Sequence, residues 1–147
     1  MEGLYARESS VLGRAVQVAV VSGRVIGVEF PESTPPDAAA DHPLLDRLFD
    51  YLDGAEDDFD DVTVALTLPT DQREVLEAVR KVPYGETADV GQVARLAHLD
   101  ADDADDVETV RAALRANPAP IFVPDHRVSE PGATPADVAD RLRDLEG

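Results

Sequence analysis

The pair of side chains best suited to chemistry is Asp125 followed directly by His126. A carboxylate beside an imidazole can form the general-base pair of a hydrolase. However, the chain offers no separate nucleophile motif, and adjacent residues on an extended loop point in opposite directions. The sequence also contains no cysteine, which excludes disulfides, thiolate metal sites and thiol nucleophiles. A small Asp/His hydrolase is therefore an alternative and not the leading hypothesis.

The composition is strongly acidic, with 13 Lys+Arg against 31 Asp+Glu and a net charge of -18. Lys81 is the single lysine. We interpret this surface as a halophilic adaptation to a salty cytoplasm, where hydration and self-repulsion keep a protein in solution. Such a balance normally argues against a nucleic-acid partner, because Lys and Arg drive phosphate binding by releasing counterions. That argument weakens at molar salt, where the driving force is small for any protein.

The apolar content favours a folded protein that is not in a membrane. Hydrophobic residues make up 44% of the chain, which is enough for one core. No apolar run is long enough to span a bilayer, and the start lacks a basic and then apolar signal segment. We therefore expect a soluble cytoplasmic monomer with no cofactor, no bound metal and no membrane partner.

The first part of the chain, residues 1–69, has the pattern of a small α/β unit. Apolar residues alternate from Ala15 to Phe30 across a Ser22-Gly23 turn, which predicts a β-hairpin. Apolar positions from Leu44 to Leu52 then recur at helical spacing. We also expect a helix cap, a helix stop, a solvated acidic turn and a short strand, at Asp41, Gly54, Glu56–Asp61 and Val62–Leu68 respectively.

The second part, residues 70–147, has mainly helical periodicity. Its second and third helices form a two-helix unit compatible with helix-turn-helix packing. The apolar run Ile121–Val123 predicts a short strand. The four expected helices are one capped by Thr70 and ending before Pro83, one through Val90–Ala97, one through Val107–Leu114, and a last one after a Thr134-Pro135 cap and first turn.

Two segments carry the most specific pattern: QREVLEAVRKVPYGET at residues 72–87 and RANPAPIFVPDHRV at residues 115–128. Both resemble the DNA-binding domain of the alkylguanine-DNA alkyltransferases, the methylated-DNA-protein-cysteine methyltransferase family. The resemblance is strong over residues 70–128, and the N-terminal half looks like the small α/β cap domain of the family. It implies an α/β subdomain with a small antiparallel sheet and a helix, followed by a helical, winged helix-turn-helix-like DNA-binding domain.

The family's active-site loop has the form Asn-Pro-x-Pro-Ile-x-x-Pro-Cys-His-Arg-Val. Asn117 matches the asparagine that ties the recognition helix to this loop. The histidine activates the cysteine through water and is oriented by a glutamate near the C-terminus, so the resemblance pairs His126 with Glu146. A purely structural role for both is the alternative. The other positions that match are Pro118, Pro120, Pro124, Arg127 and Val128.

Asp125 occupies the slot of the accepting cysteine. Alkyl transfer needs a polarisable thiolate that ends as a stable thioether, whereas a carboxylate is a weak nucleophile whose alkyl ester can hydrolyse. The resemblance therefore implies a member without the family's chemistry, of the alkyltransferase-like kind that still binds alkylated bases. Aspartate is an unexpected substitution there, because its charge would face an electron-rich guanine oxygen.

Other departures affect DNA engagement. Val90 stands where the family has a tyrosine, Glu108 stands where it has the arginine that replaces the flipped base, and residues 130–134 replace its substrate loop. The recognition helix is expected to begin with the acidic run Asp102, Asp103, Asp105, Asp106 and Glu108, which would repel phosphates. The candidate DNA-binding residues are Thr87, Gln92, Arg95, Arg111 and Arg115; pairing with surface carboxylates is the alternative role of the three arginines.

The leading hypothesis is a catalytically inactive alkyltransferase-like protein that recognises methylated guanine in double-stranded DNA and recruits a repair protein. The second is a protein-interaction or regulatory module that has lost DNA binding. The reversals at Val90, Glu108 and residues 130–134 favour the second hypothesis.

Overall fold

The computed structural model describes residues 3–147. A three-stranded antiparallel sheet opens this part of the chain, in the order β1 (Gly3–Ser9), β2 (Arg14–Val21) and β3 (Arg24–Glu29). The predicted hairpin is confirmed as β2 and β3. Strand β1 was not predicted, because its sequence GLYARES lacks the alternating β-branched residues of β2.

Helix α1 (Pro43–Leu52) follows the sheet. The predicted cap at Asp41 is wrong: His42 is the N-cap, and its Nδ1 accepts a hydrogen bond of 3.0 Å from the Leu44 amide. Pro43 explains the shift, since proline is favoured at the first helical position and sets the start of the helix there. Gly54 follows the C-cap with a φ of 113°, so a glycine suits the predicted helix stop.

The predicted strand Val62–Leu68 does not form a regular strand. It meets the edge of β3 at Val25 alone, whose amide donates to Thr63 O at 2.9 Å and whose carbonyl accepts from the Ala65 amide at 2.9 Å. Farther along β3, the amide of Val28 donates instead to Pro118 O at 2.9 Å. The active-site loop therefore occupies the edge that a longer strand would need.

The remaining helices are α2 (Thr70–Val79), α3 (Val90–Leu96), α4 (Ala104–Arg115) and α5 (Ala136–Glu146). The four predicted helices are confirmed, but two predicted caps are wrong. Prolines 69 and 135 hold the N-cap positions of α2 and α5, without a side-chain cap. Thr70 is the first residue of α2, and Thr134 bonds elsewhere, as described below.

Helix α4 begins later than its acidic run suggested. Asp103 is its N-cap and accepts from the amides of Asp105 and Asp106, at 2.8 and 3.3 Å. Asp102 therefore lies in the loop between α3 and α4. The predicted strand Ile121–Val123 is also wrong, because Ile121 has a φ of 77° and breaks an extended run.

One contiguous hydrophobic core spans both parts of the chain. Phe59 joins them, with its ring centroid 5.5 Å from that of Tyr51 and 5.0 Å from that of Phe122. A small antiparallel sheet with a helix, followed by a helical domain, confirms the predicted fold class. The boundary near residue 69 stays a prediction. Within residues 3–147, no helix has the length and apolar character needed to cross a bilayer.

Replacing a buried aromatic residue at the contact between the two parts should lower the stability strongly. We expect Phe122→Ala to lower the free energy of unfolding by about 3–5 kcal/mol, because it leaves a cavity in the core. Urea titration in concentrated potassium chloride measures this. Leu96→Ala, at a position 41% exposed, is the control and should stay within about 0.5 kcal/mol of wild type. Equal losses in the two variants would contradict the described core.

Candidate functional site

Three ionisable residues in succession, Asp125, His126 and Arg127, form a short 3-10 helix after Pro124. The predicted extended loop is wrong here, because the chain turns at this point. All three residues are buried, with exposures of 1%, 1% and 3%. Buried polar and charged groups need partners: Asp125 has one, and His126 and Arg127 share another.

Among the described residues, Thr134 alone hydrogen-bonds the carboxylate of Asp125. The Thr134 amide donates to Asp125 Oδ2 at 3.1 Å, and the Thr134 hydroxyl donates to Asp125 Oδ1. The carboxylate therefore ties the 3-10 helix to the end of the 130–134 loop. Sequence reasoning placed Thr134 at a helix cap, and no local pattern indicates a partner nine residues away.

Gly132 shows how closely this loop fits the carboxylate. A Cβ added at Gly132 would lie 2.5 Å from Asp125 Oδ2 and 2.9 Å from Asp125 Cγ. Real Cβ atoms do not approach so closely, so any side chain here would displace Asp125 or the loop. The 130–134 loop thus packs directly on the side chain at position 125.

His126 and Glu146 lie together at the end of α5. His126 Nε2 is 2.7 Å from Glu146 Oε2, and the two side chains are 0% and 4% exposed. His126 makes no hydrogen bond to Asp125 among the contacts of residues 3–147. The geometry therefore does not support the carboxylate-imidazole pair that a small hydrolase would need.

Glu146 is the centre of a buried network. Arg127 donates to it twice, from Nε to Oε1 at 2.9 Å and from Nη2 to Oε2 at 3.0 Å. The Tyr51 hydroxyl donates to Oε2, and the Gly85 amide donates to Oε1 at 3.3 Å. Tyr51 comes from α1, and Gly85 from the Pro-Tyr-Gly-Glu-Thr segment. One carboxylate thus joins both sequence motifs to the N-terminal part.

Arg127 extends this network to the acidic turn after α1. Its Nη1 donates to Asp58 Oδ1 and to Val82 O, both at 2.9 Å. Asp58 in turn accepts from the Tyr84 amide at 2.8 Å. Sequence reasoning missed Tyr51 and Asp58 as partners of the site, because each is distant in the chain and lies in an ordinary helix or an acidic turn.

The network shifts the pKa values of its members. Burial alone would raise the pKa of Glu146, but hydrogen bonds from His126 and Arg127 outweigh it and lower the pKa to about 2. Burial and the neighbouring Glu146 raise the pKa of Tyr51. Glu146 is therefore ionised, and Tyr51 is the neutral donor to it.

Asn117 fixes the loop that leads into the 3-10 helix. Its Nδ2 donates to Val123 O at 2.9 Å, and its Oδ1 accepts from the Ala119 amide at 3.0 Å. Pro118 and Pro124 flank this turn, and the carbonyl of Pro118 binds the β3 edge. The side chain thus holds a buried irregular segment that has no helix or sheet to satisfy its backbone.

A cavity of about 380 Å³ opens beside Asp125 and His126. Its other walls are the loop after the 3-10 helix and the first turns of α5, including Gly132, Thr134 and Arg143. Arg143 Nε donates to His126 O at 2.8 Å, which fixes this wall to the 3-10 helix. The volume lies within the range of small-ligand pockets.

The candidate DNA-binding residues divide into two groups. On α4, Arg111 pairs with Glu130 at 3.0 Å and Arg115 pairs with Glu108 at 2.8 Å. Thr87, Gln92 and Arg95 instead line a separate groove of about 480 Å³, together with Lys81. Arg111 and Arg115 do not line this groove.

No group of three or more His, Asp or Glu side chains in residues 3–147 is arranged to hold a metal ion.

Comparison with known proteins gives the family. The model for the DNA-binding domain of 6-O-methylguanine DNA methyltransferase matches residues 70–142. The methylated-DNA-protein-cysteine methyltransferase of Methanopyrus kandleri is 37% identical over 99 residues, which are 66% of this chain and 71% of that protein. The chain belongs to the methylated-DNA-protein-cysteine methyltransferase family. The enzyme of the same name from Methanothermobacter thermautotrophicus is 36% identical over 98 residues, 66% of this chain and 51% of that protein.

A solved structure agrees in fold. Mycobacterium tuberculosis OGT in complex with DNA superposes with a TM-score of 0.77 at 24% identity, covering 97% of this chain and 92% of that one. At this identity the likeness concerns the fold alone. The alkyltransferase fold of this family member thus extends over nearly the whole chain.

The depressed pKa of Glu146 predicts how stability depends on pH. The folded state holds a lower pKa than the unfolded value of 4.5, so this contribution is complete above about pH 4.5 and is lost as the pH falls toward about 2. Its size should be on the order of 3 kcal/mol. Glu146→Gln should remove that part of the pH dependence, as measured by urea titration at several pH values.

The matched control is Glu74→Gln, which neutralises an exposed carboxyl on α2. It should keep the wild-type pH dependence. If Glu146→Gln retained the full loss of stability between pH 4.5 and 2, Glu146 would not be the ionised centre of the network.

Proposed function

We propose that this protein recognises alkylated guanine in double-stranded DNA and marks it for repair, without transferring the alkyl group. The observation that carries the proposal is the cavity of about 380 Å³ beside position 125. It lies next to the acceptor position of a scaffold that retains Asn117, His126 and Glu146 in contact with their partners. A protein that had lost base recognition would have no need of an open cavity there.

We expect no alkyl transfer because of the residue at position 125. The chain has no cysteine, and a lasting alkyl adduct requires a thiolate that becomes a thioether. Asp125 is also engaged by Thr134 through both of its oxygens. A carboxylate held in this way is a poorer nucleophile than a free one, so binding without transfer is the expected outcome.

The family match and the similarity in fold support DNA binding. The fold is that of Mycobacterium tuberculosis OGT, which has been solved in complex with DNA. Helices α3 and α4 form the two-helix unit of the matched DNA-binding domain. Base flipping costs a few kcal/mol and needs pocket contacts to offset it, and here those contacts come from the cavity walls.

A second candidate is a protein-interaction module that no longer binds DNA. The two α4 arginines favour it, because Arg111 and Arg115 are engaged with Glu130 and Glu108. Exposed ion pairs of this kind contribute little and exchange readily. The cations are therefore available to phosphates at a small cost, and we place this candidate second.

Lesion binding can be measured directly. Fluorescence anisotropy in concentrated potassium chloride should show tighter binding to a duplex with a methylated guanine, on oxygen or on a ring nitrogen, than to the unmodified duplex. We expect about a tenfold difference, or about 1.4 kcal/mol. Equal affinity for all duplexes, or no binding, would favour the interaction module.

A variant that fills the cavity tests whether lesion recognition takes place there. Ala136 is exposed and lies on the cavity wall, so Ala136→Trp should abolish the preference for the lesion and leave the fold intact. Ala55→Trp, at an exposed position outside the cavity, is the matched control and should keep the preference. Loss of the preference in both variants would place recognition elsewhere.

Incubation with a duplex carrying a labelled methyl group on guanine tests transfer. We expect no lasting label on this protein after denaturation, whereas the Methanopyrus kandleri relative serves as the positive control. A stable adduct on this chain would contradict the proposal that it binds without transfer.

A further inference from the structure

The floor of the cavity offers hydrogen-bond acceptors. Each oxygen of Asp125 receives one hydrogen bond from Thr134. A carboxylate oxygen has two lone pairs, so each retains capacity for a second donor. Asp125 lines the cavity, and an ionised carboxylate provides no donor of its own. A ligand beside it should therefore bring hydrogen-bond donors.

His126 adds a further acceptor. It lines the same cavity, its side chain is fully buried, and its Nδ1 is the one buried side-chain nitrogen or oxygen without a partner among residues 3–147. When Nε2 donates to Glu146 Oε2, an uncharged imidazole ring has its lone pair on Nδ1. A buried polar atom left unpaired costs free energy, so a donor from a ligand would stabilise it.

The charges around the cavity also favour a cation. Glu130 and Asp140 line it together with Asp125, and each of these two carboxylates is paired with an arginine. Asp125 has no cationic partner within residues 3–147. A buried carboxylate without a cation is unfavourable in the charged form, and an adjacent positive charge relieves that cost.

These features distinguish two classes of alkylated guanine. Alkylation on O6 leaves a neutral base without the N1 proton, so an acceptor at N1 would face the acceptors of the cavity. Alkylation on N7 leaves a positively charged base that keeps its N1–H as a donor, beside the amino group that both bases carry. Carboxylates accept strongly from paired and charged donors.

We propose that the cavity takes a guanine alkylated on a ring nitrogen, a cationic base, in preference to a neutral guanine alkylated on oxygen. This inference rests on the proposed function and names its lesion class. It also gives Asp125 a role: the carboxylate accepts hydrogen bonds from the extruded base and interacts with its positive charge.

The test compares duplexes containing 7-methylguanine, O6-methylguanine or guanine, at mildly acidic pH, where 7-methylguanine keeps its N1 proton. Wild type should bind the 7-methylguanine duplex at least about tenfold more tightly than the O6-methylguanine duplex, which is the scale of a charge-assisted hydrogen bond. Asp125→Asn keeps the shape and removes the charge, and should reduce this ratio to within about twofold. Asp50→Asn removes the charge of an exposed carboxylate on α1, outside the cavity, and is the matched control; it should keep the wild-type ratio.

The outcomes separate the two proposals. A wild-type preference for O6-methylguanine, or equal affinity for both lesions above guanine, overturns the choice of lesion and leaves lesion recognition standing. No preference for either lesion over guanine overturns the proposed function as well. A wild-type ratio that survives in Asp125→Asn also overturns the inference. The wild-type comparison needs no variant, so it decides even if Asp125→Asn does not fold.

Discussion

The buried carboxylate of Glu146 is the constraint on which the site depends. It lies at the end of α5 and accepts from His126, from Arg127 and from Tyr51 on α1. Without it, a buried guanidinium and a buried imidazole would both lose their partner, and each loss of a buried charge partner is strongly destabilising. The position of α5, the 3-10 helix and α1 relative to one another is therefore set by one side chain.

Position 125 is independent of that network. Asp125 bonds to Thr134 and not to His126 or Glu146. Neighbours in the sequence thus have separate partners, because the 3-10 helix directs their side chains to different elements. The scaffold around the slot can therefore persist while the residue in the slot changes. A substitution at position 125 acts mainly on the 130–134 loop and on the cavity beside it.

The sequence predicted the secondary-structure elements whose pattern is visible in the neighbouring residues. Apolar periodicity predicted the hairpin and all of the helices, since burial of one face imposes the period. The caps failed at Asp41, Thr70 and Thr134, because prolines at positions 43, 69 and 135 decided where the helices begin. Local preference was thus overridden by the restricted backbone of proline.

The parts of the site that escaped prediction are long-range contacts. Tyr51 lies 95 residues from Glu146, and Asp58 lies 69 residues from Arg127. Neither has a local pattern that differs from an ordinary helix residue or acidic turn. The family resemblance supplied the pairing of His126 with Glu146, but the role of Thr134 depends on a loop in which this chain departs from the family, so no resemblance could indicate it.

The carboxylates at the start of α4 also have a local structural role. The carboxylates before and within the first turn of α4 accept from backbone amides: Asp103 caps the helix, and Asp106 accepts from the Asp100 amide at 2.8 Å. Such hydrogen bonds and the helix dipole disperse part of the negative charge. In concentrated salt the remainder is screened within a few ångströms. For the proposed lesion binding, an acidic α4 is therefore compatible with DNA at high salt, because specificity would come more from the contacts of the cavity than from the phosphates.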